Sequence, residues 1–449
     1  MTNSASDRRS AAAPAFAVLL VAAMALSGCD TFFGSPEAPP LPGERVSVLK
    51  MNTGLVIDPE AAATPVTLPA ATANFDWSQA GGSSNHAMQH LQASDTLNVA
   101  WRADIGEAAD DSRFLLAEPI SSGGRVFTMD AGMTVSAFDL GNGGRAWQVD
   151  LTPEDEDDDL FGGGLATDGK AVYVSTAFQQ VHALDASTGA QIWVTAIRAP
   201  IRAAPTYSDG RVFVVTVDNQ IFALAAEDGT VLWSYQGMAE VAGLLGGASP
   251  AVQGPDVIAP FSSGELVSLR ADTGRVLWTE SLAGGARSEA QSQLADIRGR
   301  PAIDRDRVFA ISNSGITTAI DLASGSRIWT ANFGGSQSPW VAGDYIFLVT
   351  RDGDVVCVTR NDGRIRWVQT LPTWEDAEDQ TDPILWSGPV LAGDRLLLVG
   401  SNGDVQMISP YTGEAIGSTV LPGRSHLPAI VVQGTVLIVT DAAELIALR

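Results

Sequence analysis

Cysteine is nearly missing from this chain, with Cys29 and Cys357 the two in 449 residues. Histidine is also scarce, at four residues: His86, His90, His182 and His426. His86 and His90 have the i, i+4 spacing of a metal-binding pair. The surrounding "GGSSNHAMQHLQ" offers no third ligand, which argues against a zinc site, and no metal is assigned. Positive charge is in deficit, with 27 Lys and Arg against 52 Asp and Glu and a formal net charge of −25. Nucleic-acid binding rewards the opposite sign, so nucleic acid is excluded as a partner. The acidity reads instead as solubility and as steering of basic partner patches. No Gly-x-Ser-x-Gly, Walker or HExxH motif occurs, and no catalytic residue is assigned. The one long hydrophobic run, "AAAPAFAVLLVAAMAL", is shorter than the roughly 20 residues of a permanent membrane span.

Arg8 and Arg9 precede that run, and "LSGC", Leu26 to Cys29, closes it. A basic start and a short apolar stretch are the parts of a signal peptide. The ending resembles the lipobox of bacterial lipoproteins, which implies cleavage after residue 28 and lipid on the Cys29 sulfur. Several acyl chains on one residue hold a protein firmly, at about 0.8 kcal/mol per buried CH₂. Asp30 resembles an inner-membrane retention signal, so inner-membrane sorting stays open beside the outer membrane. Residues 29–72, rich in Pro and Gly, read as a flexible tether. With Cys29 lipidated, Cys357 in the alternating "GDVVCVTR" has no disulfide partner and reads as a buried structural thiol.

Glycine is abundant at 45 residues, and it is periodic. Seven eleven-residue units align: "AFDLGNGGRAW" (137–147), "ALDASTGAQIW" (183–193), "ALAAEDGTVLW" (223–233), "SLRADTGRVLW" (268–278), "AIDLASGSRIW" (319–329), "CVTRNDGRIRW" (357–367) and "MISPYTGEAIG" (407–417). Each has Gly at its seventh place, and the glycines lie 46, 40, 45, 51, 38 and 50 residues apart. Six units end in Trp: Trp147, Trp193, Trp233, Trp278, Trp329 and Trp367. This period, with four strand-like segments per unit, predicts a β-propeller. "GTVLIVTDAAELIALR" (434–449) stops where an eighth Trp strand is due. "DTLNVAWRADI" (95–105) supplies it with Trp101. The expectation is an all-β, eight-bladed propeller over residues 73–449, built of four-stranded antiparallel blades, with an N-terminal strand closing the last. Asp139, Asp185 and Asp321 read as turn carboxylates that recur round the ring, not as a convergent site.

The "A-x-D-x-x-T-G-x-x-x-W" units resemble the quinoprotein-type eight-bladed propeller superfamily, over residues about 73 to 449. Together with "LSGC" and the Pro-rich tether, they resemble the BamB-like lipoproteins of outer-membrane β-barrel assembly. That resemblance implies a non-enzymatic scaffold without cofactor. It would be lipid-anchored at the periplasmic face of the outer membrane, a monomer within a hetero-complex. The implied partners are the POTRA domains of BamA, other Bam subunits and unfolded outer-membrane proteins. Two loops would carry the BamA contact. One is "AIRAPIRAAP", with Ile197, Arg198, Ile201 and Arg202, either Arg matching the family position. The other is "QLADIRGRP", with Leu294, Asp296 and Ile297, where Arg298 stands in place of a second acid. An exposed Arg and a few aliphatics on a rigid loop would suit an interaction hot spot. Two other readings remain: a periplasmic pyrroloquinoline-quinone dehydrogenase, which the absence of adjacent cysteines disfavours, and a general envelope-binding propeller. The six acids Glu154 to Asp159 read as a solvated loop, with Ca²⁺ or basic-partner binding as the alternative. "PTWEDAEDQTDP" (372–383) reads as a second acidic insertion.

Overall fold

The computed structural model describes residues 55–110, 112–154, 162–240, 244, 246–283 and 295–449. Eight four-stranded antiparallel sheets follow one another round a ring, as the repeat predicts. Blades one to seven span residues 120–150, 163–196, 206–236, 251–281, 302–331, 340–370 and 386–420. Blade eight takes three strands from Ile430–Val432, Thr435–Val439 and Glu444–Leu448, and its outermost strand from Val99–Asp104. Trp101 pairs with Ala447, and Asn98 and Arg449 exchange backbone bonds of 2.9 and 2.8 Å, so the ring is closed by hydrogen bonds. Closure completes the last blade, so each blade keeps only its short innermost and outermost edges.

Blade three shows how residues dictate strands. Arg211–Val215 and Gln220–Ala225 lie between neighbouring blades and are buried on both faces, hence their nearly unbroken apolar runs. The outermost strand, Val231–Gln236, alternates because one face looks out to solvent. The turn between them holds Gly229 at φ +74°, and the equivalent glycine of every unit lies between +67° and +79°. Only glycine takes that backbone at no steric cost.

A second demand on the same glycine comes from the blade before. The Trp193 ring lies flat on Gly229, where a Cβ would sit 2.6 Å from its Cε3. The pairing repeats from Trp101 on Gly143 to Trp367 on Gly413. Each indole N–H donates to the carbonyl three residues before its glycine: Trp147 to Ala186 at 3.1 Å, Trp278 to Leu322 at 2.8 Å, Trp329 to Arg360 at 2.9 Å. Asp185 holds the turn itself, accepting from the N–H groups of Ser187 and Thr188 at 3.0 and 2.8 Å. The seventh unit has Gly417 in the Trp place. Blade eight presents Asn98 and Arg449 there instead of a hairpin, so no turn glycine awaits a ring, and Met407 closes in.

The tether expected over 29–72 gives way to packed chain by residue 57. Ile57 bridges to Ile365 on the outer strand of blade six. Asp58 then caps a one-turn helix, Pro59–Ala63, accepting from the Ala61 N–H at 2.7 Å. Arg364 pairs with Glu60 at 2.9 Å. An Asp cap followed by Pro at the first helical position is the local signal for that turn.

Residues 74–94 follow a course that periodicity did not reveal. They run once round one end of the central channel and bond each blade in order. Trp77 exchanges backbone bonds with Ser121 of blade one, and Ser78 accepts from Thr167 of blade two. The Gln79 side chain accepts from Tyr207 of blade three. Ser84 and Asn85 accept from Val252 and Ile303 of blades four and five. Gln89 accepts from the Trp340 indole of blade six, and Leu91 and Ser94 pair with blades seven and eight. Trp77 and Trp340 stack at 6.3 Å, filling the hub. This circuit closes the channel at the end where first and second strands meet. The loops between blades stand at the other end.

Candidate functional site

The two loops singled out in the sequence lie at the open end and converge. Ile197 donates its N–H to Gln179 at 2.7 Å, and Val217 donates to Pro200 at 3.0 Å, pinning the 197–202 loop to the blades on either side. Ile201 bridges Thr216. The side chains of Ile197 and Ile201 pack with Val212, Val214 and Phe222 between blades two and three. Ile297 packs likewise between blades four and five, beside Leu282 and Val308. All three isoleucines are buried, with Ile201 at 0% exposure. The wedge between blades is widest where a chain leaves one blade for the next, and these residues fill it.

Asp296 is also buried, and its carboxylate accepts from the Leu244 N–H at 2.7 Å. Burial pushes its pKa up, opposed by that hydrogen bond and by the Arg298 charge. Arg198 is exposed, and Arg202 is half-buried against Gly162. Arg202, Asp296 and Ile297 share one cleft of about 360 Å³ between blades three and four, with Val217, Asp218 and Glu240 on its walls. Asn219, at φ +61°, braces it, donating to Met238 O at 2.7 Å and accepting from the Ser262 N–H at 3.0 Å. Val217 is 39% exposed on the wall of this cleft, and Met238, whose carbonyl Asn219 holds, is 62% exposed. Sequence reasoning missed these two. Topology is the signal that would have found them, because turns between second and third strands share an end with the loops between blades. Cys29, Leu294 and the acids from Asp155 to Asp159 lie outside the described residues.

Nearer the axis, the channel mouth is lined by Glu118, Arg202, Arg298, Arg300 and Gln337 above Ala80 of the N-terminal circuit, with a volume of about 80 Å³. Arg300 pairs with Glu118 at 2.7 Å, and Glu118 also accepts from the Gly81 N–H at 3.3 Å. His86 is buried beneath, its Nδ1 bonded to Pro301 O at 2.8 Å. Burial, helped by the Arg300 charge, lowers the His86 pKa to about 3, so the ring is neutral. His90 bonds Pro69 O at 2.9 Å instead of sharing a site with His86. Cofactor pockets are about 300–1,000 Å³, far more than this mouth offers. Among the described residues no three His, Cys, Asp or Glu side chains gather to hold a cation. The described residues of the channel mouth therefore do not fit a quinone with its metal.

The remaining singled-out residues are structural in their surroundings. Cys357 is buried on the third strand of blade six, and burial pushes its thiol pKa far up. The acidic insertion after blade six forms a small hairpin, Trp374–Asp376 with Thr381–Pro383, tied down by Glu375 to Arg424 at 2.9 Å.

Comparison with known proteins gives a consistent result. A family model described as outer membrane protein assembly factor BamB matches residues 131–369. An outer membrane protein assembly factor BamB from Yersinia pestis is 24% identical over 344 residues, covering 76% of this chain and 85% of its own. One from Moranella endobia is 24% identical over 283 residues, covering 62% of this chain and 72% of its own. Among solved structures, BamB from Moraxella catarrhalis superposes with a TM-score of 0.66 at 21% identity, over 79% of this chain and 99% of that one. A quinohemoprotein alcohol dehydrogenase from Comamonas testosteroni superposes at 0.62 and 14% identity, over 84% and 81%. At these identities the superpositions speak for the fold alone.

Proposed function

Because the chain belongs to the outer membrane protein assembly factor BamB family, we propose that it is a non-enzymatic scaffold of the outer-membrane β-barrel assembly complex. It would be anchored by lipid on Cys29 at the periplasmic face of the outer membrane and would hold the POTRA domains of BamA. The observation that carries this reading is the family match across residues 131–369, which spans both converging loops. The cleft between blades three and four supports it as the contact surface. A rigid wall carries a half-buried cation, Arg202, and the exposed apolar group of Val217. Such a mixture of apolar anchor and Arg is what a protein interface concentrates at its centre. The buried isoleucines and Asp296 act by holding the loops, and the exposed residues make the contact. Scaffolding then needs no chemistry: a rigid ring presents one face, and flexible modules lose freedom when they dock on it.

The test is cross-linking in cells that produce the tagged chain, followed by purification in mild detergent. BamA is the expected product. Its repeated absence, with the tagged chain recovered intact in the membrane fraction, would contradict the scaffold reading.

A further inference from the structure

The hub holds a charge arrangement that neither the fold nor the scaffold role uses. In a chain with a formal charge of −25, Arg298 and Arg300 stand side by side at the channel mouth with one carboxylate between them and the floor, Glu118. Glu118 is committed to Arg300. Arg298 makes no hydrogen bond or ion pair among the described residues, and it is partly buried against Gly246, whose missing Cβ leaves room for the guanidinium. Burial lowers its pKa, Asp296 opposes this from beyond hydrogen-bonding range, and Arg300 adds to the lowering. Two buried nitrogens are also unpartnered among the described residues, Arg300 Nε and His86 Nε2, on side chains that meet at Gly81. Buried polar groups are nearly always bonded, so unpartnered guanidinium nitrogens lining a cavity mark a place for a ligand.

We propose that the channel mouth binds an oxyanion, the carboxylate or phosphate group of a small molecule or of a polypeptide's C-terminus, between Arg298 and Arg300. Both guanidiniums offer planar N–H forks that suit two-oxygen anions. The volume of about 80 Å³ admits one such group, and the rest of the carrier extends through the open end. Gln337, also lining the mouth, supplies a neutral amide for a remaining oxygen.

The test is thermal unfolding of the full chain at constant ionic strength, titrated with inorganic phosphate, with citrate, and with a neutral hexapeptide as free acid or C-terminal amide. A saturable rise in Tm with phosphate or citrate identifies a small-molecule source. A rise with the free-acid peptide and none with its amide identifies a chain end. Arg298→Gln is expected to weaken the response at least tenfold. Without anion it should be as stable as the parent or more so, because a buried unpaired charge is removed. Arg275→Gln, on an exposed turn at the rim, should change neither quantity. No saturable response to any probe would overturn the proposal. So would an unchanged response in Arg298→Gln, or a clear loss of its anion-free stability, which would give the guanidinium a structural role.

Discussion

Trp147 and Trp77 are both buried tryptophans of one chain, and they behave differently. Trp147, at the rim, lies on Gly189 of the next blade and donates its N–H to Ala186 at 3.1 Å. Trp77, at the hub, stacks on Trp340 and leaves its N–H without a partner among the described residues. The rim solves one packing problem seven times with one Gly and one Trp per blade. At the hub the N-terminal circuit meets each blade with a different residue, and it leaves charges and donors unmatched. Stability is concentrated in what repeats, and what does not repeat leaves Trp77 Nε1 and His86 Nε2 unmatched.

The comparison is broken most forcefully by truncating a rim ring. Trp329→Ala removes a buried side chain and one of the two donors to the Arg360 carbonyl, leaving Arg307 Nη1 at 2.8 Å. It should cost about 3–5 kcal/mol in urea unfolding, the usual range for a buried Trp. Trp77→Phe at the hub keeps the stacking and deletes an unbonded donor, so it should stay within about 1 kcal/mol. Equal costs at the two places would erase the distinction. Next in size is Gly325→Ala. Its φ is +74°, and the added Cβ would sit 2.6 Å from Trp278 Cγ. Backbone strain and overpacking together should cost about 2–3 kcal/mol in the same assay.

The hub should also be the more acid-sensitive region. His86 has a folded pKa of about 3, below the ordinary value of 6.5. Its contribution is therefore complete above pH 6.5 and is lost as pH falls toward 3, at about 1.4 kcal/mol per unit. By pH 5 that is about 2 kcal/mol. Asp130 and Asp296, whose pKa values burial raises, act in the opposite sense. The readout is thus the difference from His86→Asn, which should flatten the decline between pH 6.5 and 5; parallel curves would remove His86 from the account. The smallest effect concerns Cys357. With its thiol buried and its pKa raised, maleimide should label it only on unfolding. Rapid labelling of the native chain would mean that blade six opens locally.

The same contrast explains what could be read from sequence. Blade number, the φ > 0 glycines, the outer Trp strands and closure by Val99–Asp104 all follow from periodicity, because one local solution is written many times. Residues 74–94 escape such reading: they touch each blade once, through single backbone bonds and side chains such as Gln79 and Gln89, with no repeat to reveal them. The candidate site was half legible. The 197–202 and 295–297 loops do share a cleft, but residue type could not tell Ile201, which fills a wedge, from Val217, which faces solvent. That depends on which blades flank the loop, a property of the closed ring.

We propose that this ring binds BamA through the cleft between blades three and four. That contact is tested most directly by calorimetric titration of the purified chain with the soluble POTRA region of BamA. Val217→Asp combined with Glu240→Lys changes two exposed side chains that line the cleft and leaves the buried loop supports in place. The account predicts saturable binding by the parent chain and at least a tenfold loss, about 1.4 kcal/mol, in the double variant at unchanged Tm. Equal affinity of the two proteins would contradict it.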